Sequence, residues 1–264
     1  MDWGLEGRVV VVTGAGRGIG RVVAERFSQA GATVAALDIA FVAVEEVAAD
    51  LVAAGGTAAG FACDVTSGES VRAALAAVAE RFGGIDVIIN NAGINAEGAV
   101  EEIDEAAWQR CFDVNVTGVF RVCQAAIPYL KASDHGRIIN AASFAAIIPS
   151  IGSAAYAASK AAVVQFTKVL AGELGPWDVT VNAYAPGMIP TAINGFADMP
   201  EAAQNRLLDT LTLRRWGDAA EVADLLLFLA SDASRYITGT VVDVSGGKLV
   251  TQLPAKAYER AERA

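Results

Sequence analysis

Val9-Val10-Val11-Val12 runs straight into Thr13-Gly14-Ala15-Gly16, and that junction sets the rhythm of the chain. A short apolar run of β-branched residues that stops at glycines predicts a strand buried on both faces, as in a parallel sheet. Over 18–30 the apolar positions Ile19, Val22, Val23 and Phe27 return at helical spacing, and Gly31 ends them. Thr33–Asp38 reads as a second strand and 42–54 as a second helix, closed by Gly55-Gly56. Further strand-like runs occupy 57–62, 85–90, 136–142, 179–184 and 240–244, with helical patterns over 68–82, 105–131, 154–174 and 219–230. Strands alternating with helices predict an α/β fold. The expected form is a doubly wound parallel sheet in a single domain over 1–264, with ligands at the carboxyl ends of the strands. Residues 190–216, mixed in polarity and holding Pro190, Gly195 and Pro200, interrupt the rhythm and predict a substrate lid. The tail over 248–264, charged from Lys256 onward, is expected to pack on a neighbouring subunit or to fray.

Composition adds an expectation about assembly. Hydrophobic residues are 54% of the chain and the mean hydropathy is +0.41, which suggests apolar surface beyond the core and hence an oligomer. The uncharged run over 138–159 is interrupted by Asn140, Pro149 and Gly152, so it predicts strand, loop and helix start and not a membrane span. Met1 to Glu6 lacks the basic and apolar segments of a signal peptide, and Cys63, Cys111 and Cys123 have no paired spacing; both suit a reducing cytoplasm. One histidine, His135 in a loop-like stretch, supports neither a histidine metal cage nor a serine-histidine-aspartate triad, and no metal is expected. A formal charge of −10 disfavours nucleic acid and anionic membrane as partners.

Two constellations carry chemistry. Gly14, Arg17, Gly18, Ile19 and Gly20 follow a strand and open a helix, where glycines let the backbone approach a pyrophosphate and the helix N-terminus offers free N–H donors. Asp38 ends the second strand eighteen residues beyond Gly20, where a carboxylate accepts from ribose hydroxyls and repels a 2′-phosphate. Arg17 pulls the other way, but Asp38 sits directly against the ribose, so NAD is expected in preference to NADP. The second constellation is Tyr156 and Lys160, one helical turn apart, with Ser143 thirteen residues upstream of the tyrosine. An ammonium beside a phenol favours the phenolate, and a serine hydroxyl alongside donates to a carbonyl oxygen.

With Asn90-Asn91-Ala92-Gly93 in view as well, the chain resembles the short-chain dehydrogenase/reductase family over about residues 5–247. The resemblance implies a Rossmann fold with Ser143, Tyr156, Lys160 and Asn115 catalytic, the last holding a water in the proton relay. It implies that Asn91, Ala92 and Gly93 pack by the adenine ribose and that Asp64 and Val65 meet the adenine. Pro186, Gly187, Ile189 and Thr191 would clasp the nicotinamide carboxamide. Pro190 is unusual there, whereas Tyr184 and Ala185 carry no special expectation. The substrate pocket is expected to draw on Ser143, Ala145, Asn95, Met188, Ile193 and Phe196. Asp113 reads as a solvated helix face. The expected activity is interconversion of a secondary alcohol or polyol and its ketone with NAD(H). The long helices over 105–131 and 154–174 are expected to build a homotetramer. Two rivals are a 3-oxoacyl-carrier-protein reductase, which normally prefers NADPH, and a non-catalytic NAD-sensing regulator on the same fold.

Overall fold

The computed structural model describes residues 3–191, 195–196 and 199–261. Seven strands form one parallel sheet: β1 (Val9–Thr13), β2 (Thr33–Asp38), β3 (Thr57–Ala62), β4 (Val87–Asn90), β5 (Arg137–Ala141), β6 (Thr180–Pro186) and β7 (Val241–Val244). Their order across the sheet is β3-β2-β1-β4-β5-β6-β7. The chain leaves the edge at β3 and re-enters beyond β1, so β1 and β4 are parallel neighbours from which the connections wind in opposite directions, the arrangement that opens a crevice at strand ends. Alternation along β1 divides the core. Val10 and Val12 face a layer containing Val23 and Phe27 of α1 (Gly18–Gln29) and Leu226 of α8 (Ala219–Ala230). Val9 and Val11 face Leu75 of α3 (Gly68–Phe82), Val122 of α5 (Gly118–Ala132) and Val163 of α6 (Ala154–Leu174).

Local chemistry explains the element ends. Ser67 caps α3 by accepting from Ser70 N–H, and Gly83 leaves it at φ 86°. Asp104 caps α4 (Glu105–Phe112), and Asp218 with Glu221 forms a capping box on α8. The helix expected over 105–131 forms, with a wide turn at Asp113–Thr117 between α4 and α5. Such a turn enlarges the backbone ring by one residue. Periodicity also passed over α7 (Glu201–Leu208) and α9 (Ala255–Ala261). Within the tail, Tyr258 of α9 donates to the Thr212 carbonyl at 2.7 Å.

At the opposite end of the sheet from the crevice, Arg8 and Arg137 are both buried and share Asp232, at 2.8 and 3.3 Å. Asp232 is half exposed, so water screens part of this attraction. Asp232→Ala leaves two buried guanidinium groups without their carboxylate, and we expect about 1–2 kcal/mol of lost stability. Chemical denaturation checks this; an unchanged midpoint contradicts it.

Candidate active site

The loop joining β1 to α1 lies almost in contact with the turn that follows β4. Gly14 has φ +66°, and a Cβ there would stand 2.9 Å from Ala92 Cα. At Gly20 a Cβ would meet the Gly14 carbonyl oxygen at 2.1 Å and Asn91 Nδ2 at 2.5 Å. Only glycine permits this approach. Asn91 ties the two segments, its Nδ2 donating to the Thr13 and Gly14 carbonyls at 3.1 and 3.2 Å. The first N–H groups of α1 have no side-chain cap and remain available to an anion. Asp38 is fixed by two backbone donors, Gly16 N–H to Oδ2 at 3.2 Å and Ala40 N–H to Oδ1 at 3.0 Å. Each carboxylate oxygen keeps acceptor capacity for hydroxyl groups.

A cavity of about 770 Å³ crosses the carboxyl ends of β2, β1, β4, β5 and β6, taking in Asp38, Gly14, Asn91, Ala141 and Pro186 in turn. Arg17, Gly18, Ile19, Asp64, Val65, Ala92, Gly93, Tyr156, Lys160 and Thr191 also line it. Gly20 lies behind the loop and is buried, and Gly187 approaches Ser245 instead of the cavity. The size, the glycine cradle and the acceptors on Asp38 fit a dinucleotide. Gln109, Arg110 and Asp113 line one wall, so Asp113 is a cavity residue and not merely a solvated helix face.

Beyond the carboxyl end of β5 the second constellation assembles. Ser143 caps a single turn at Phe144–Ala146, its Oγ accepting from Ala145 N–H at 3.1 Å, and its hydroxyl is hydrogen bonded to Tyr156. Tyr156 stands in the first turn of α6. Lys160 follows one turn later, with Nζ 5.7 Å from the phenol ring centroid and donating to the Ala141 carbonyl at 2.8 Å. Asn115, in the wide turn, exchanges two bonds of 2.9 Å with the Ile94 backbone and donates to Ser159 Oγ at 3.0 Å. Its side-chain oxygen and Lys160 Nζ both approach Gly93, where a Cβ would lie 3.3 and 3.4 Å from them.

Burial sets the protonation of this cluster. It pushes the Tyr156 phenol above its ordinary value, and the Ser143 hydrogen bond offsets part of that. The expectation that Lys160 holds the phenol low is not met in the chain by itself, where burial is the largest influence and raises it. The same desolvation lowers Lys160 to about 8.

The expected substrate pocket is only partly brought together. Ser143 and the buried Ala145 share one turn, and Asn95 donates to Glu97 at 2.6 Å. Met188 and Ile189 instead line a second cavity of about 310 Å³ with Leu211 and Leu213. Phe196 stacks on Trp216 with centroids 5.3 Å apart. Ile193 lies outside the described residues. Apolar side chains at these positions had two cavities to choose between, and the sequence does not distinguish them.

A strand-end crevice with a glycine cradle, a half-buried tyrosine and a buried lysine and serine fits the class of nucleotide-dependent oxidoreductases. A family model described as enoyl-(acyl carrier protein) reductase matches residues 14–248. The 3-oxoacyl-(acyl-carrier-protein) reductase FabG of Thermotoga maritima is 37% identical over 246 residues, covering 93% of this chain and 99% of that protein. The 2,5-dichloro-2,5-cyclohexadiene-1,4-diol dehydrogenase LinX of Sphingobium indicum is 37% identical over 243 residues, covering 92% and 96%. A crystal structure described as a short-chain alcohol dehydrogenase of Sinorhizobium meliloti superposes with a TM-score of 0.89 at 35% identity, over 94% of this chain and 98% of that one. The chain belongs to the short-chain dehydrogenase/reductase family, whose members are oxidoreductases that use a nicotinamide cofactor.

The lysine allows a test of the electrostatics. Between pH 8 and its unfolded value near ~10.4 the unfolded chain binds more protons at this position than the folded one, so its contribution to stability rises with pH. Below that window the buried ammonium opposes folding. Lys160→Met should therefore melt no lower than the wild type at pH 7, and the wild type should gain on it as pH rises through 8. A variant that melts well below the wild type at pH 7, with no change in the gap, contradicts the desolvated lysine.

Proposed function

We propose that the chain transfers hydride between a nicotinamide cofactor and the carbonyl carbon of a ketone, with Tyr156 exchanging the proton at the ketone oxygen. The observation that carries this is one continuous cavity reaching from Asp38 and the glycine loop to Tyr156 and Lys160. A bound nicotinamide supplies or accepts the hydride. In the reduction direction the Tyr156 hydroxyl delivers its proton to the substrate oxygen, to which the Ser143 hydroxyl also donates. The Lys160 ammonium favours the phenolate left behind and reaches ribose hydroxyls. Asn115, its amide engaged by Ile94 and Ser159, holds the wide turn against Gly93, close to Lys160. Proton exchange with bulk water through a water held at this turn completes the reading.

The carboxylate of Asp38 supports NAD(H) over NADP(H), because its two backbone bonds keep it from swinging away from a 2′-phosphate. Arg17 in the same cavity is the opposing charge. For the ketone, a 3-oxoacyl thioester is better supported than a simple alcohol or polyol, since the Thermotoga maritima relative is named for that substrate. The net charge of −10 favours a small thioester over an acidic carrier protein. A diol or polyol is the second reading, supported by the diol dehydrogenase relative. The presence of both Tyr156 and Lys160, brought to one cavity wall, favours turnover over a sensing role. A homotetramer fits this reading: Phe120 on α5 and Val169 on α6 are 44% and 61% exposed, an apolar surface for helix pairing between subunits. Among the described residues, no helix is long and apolar enough to cross a membrane.

The near-ultraviolet absorbance of reduced nicotinamide tests the reading, with NADH and NADPH each offered an acetoacetyl thioester and a panel of diols and ketones. NADH should give the higher kcat/KM, and Asp38→Ala should narrow the preference by about tenfold or more. Tyr156→Phe should lower kcat by about 10³-fold while NADH still binds. Retained turnover in Tyr156→Phe contradicts the assignment.

A further inference from the structure

Tyr184 is among the largest fully buried side chains, yet its hydroxyl reaches across β5 to a residue at the end of β4, two strands away in the sheet. The register explains how. Ala141 of β5 pairs with Tyr184 of β6, and Asn90, the last residue of β4, pairs with Asn140 of β5, so the next residue, Asn91, leaves the strand in line with Ala141 and Tyr184. Side chains in such a row share a face. The middle member is alanine, and the phenol passes over it to donate to Asn91 Oδ1 at 3.1 Å.

That bond decides which way the Asn91 amide faces. Its Nδ2 has two carbonyl acceptors, Thr13 and Gly14, on the segment that becomes the glycine loop. Turned over, the amide would present its oxygen to both carbonyls and lose both bonds. The phenol supplies a donor to Oδ1 and so completes the only arrangement in which every partner is matched. Burial pushes the Tyr184 phenol well up, so it stays protonated and remains a donor throughout the working pH range.

The hydroxyl is not needed for packing alone. Phenylalanine would fill the same volume, and the aliphatic core around β6 needs no polar atom there. We propose that Tyr184 is a cofactor-positioning residue, its hydroxyl locking Asn91 and, through it, the glycine loop in the shape that receives the dinucleotide. The proposal rests on the cofactor reading above. Pro186 and Tyr184 of β6 both line the cavity, and Tyr184 also acts on it through a partner on the far side of β5.

Fluorescence titration of the full chain with NADH and with NADPH tests it, in the wild type and in Tyr184→Phe, Asn91→Ala and the double variant. Tyr184→Phe should raise the dissociation constant of the better-bound cofactor by about tenfold. The loss should appear in that constant and in the cofactor KM more than in kcat. In the Asn91→Ala background the same substitution should change the constant by no more than about twofold, because the group it acts through is gone. An unchanged dissociation constant, even with a lowered melting temperature, overturns the proposal and leaves a packing role. An equal loss in both backgrounds also overturns it, since the hydroxyl would then act without Asn91. Should Tyr184→Phe not fold, Tyr184→Met in the same cycle reads the same coupling. A wild type that binds neither nucleotide would sink the cofactor reading itself, a result distinct from either.

Discussion

Everything at the crevice depends on how closely two pieces of backbone can approach. The loop after β1 and the turn after β4 meet where the strand order reverses, and the space between them is smaller than one methyl group. The 2.9 Å that a Cβ on Gly14 would leave to Ala92 Cα measures that constraint. Once the approach is made, the Asn91 amide stitches the two segments together, the first turn of α1 points its free N–H groups at the cavity, and Asp38 is bonded against Gly16. A larger side chain at Gly14 or Gly20 would part the segments and disperse all three features together.

A second constraint is the dielectric of the far end of the cavity. Lys160 is buried and Tyr156 half-buried beside it, and each is pushed toward its neutral form, the phenol upward and the ammonium down to about 8. Neither shift is produced chiefly by the other residue. The pair is thus poised by burial, and the Ser143 bond biases it toward the phenolate. Charge brought into the cavity by a ligand acts on groups that water does not screen, which is why modest changes there have large effects on protonation.

Much of this was legible in the chain. The valine run, the strand ending at Asp38 and the spacing of Ser143, Tyr156 and Lys160 are local patterns, and each of those residues lies where its pattern put it. The features that escaped depend on contacts distant in sequence or on backbone geometry without a composition signal. The wide turn at Asp113–Thr117 looks like uninterrupted helix until the extra residue per turn is seen. Tyr184 reads as a bulky strand residue, and its meaning appears only when the register places it in line with Ala141 and Asn91. Met188 and Phe196 were expected in one pocket because both are apolar and near the lid, whereas packing assigns Met188 to the second cavity and stacks Phe196 on Trp216.

The central claim is that one cleft holds a nicotinamide donor and a ketone acceptor in reach of the same phenol. Its most direct test follows the hydrogen itself: NADH deuterated at the transferring C4 position is incubated with the chain and an acetoacetyl thioester, and the product is analysed by mass spectrometry and NMR. The account predicts deuterium on the carbinol carbon of the product, with the hydroxyl proton drawn from solvent. Product formed without deuterium at that carbon, or label lost to water, would contradict it.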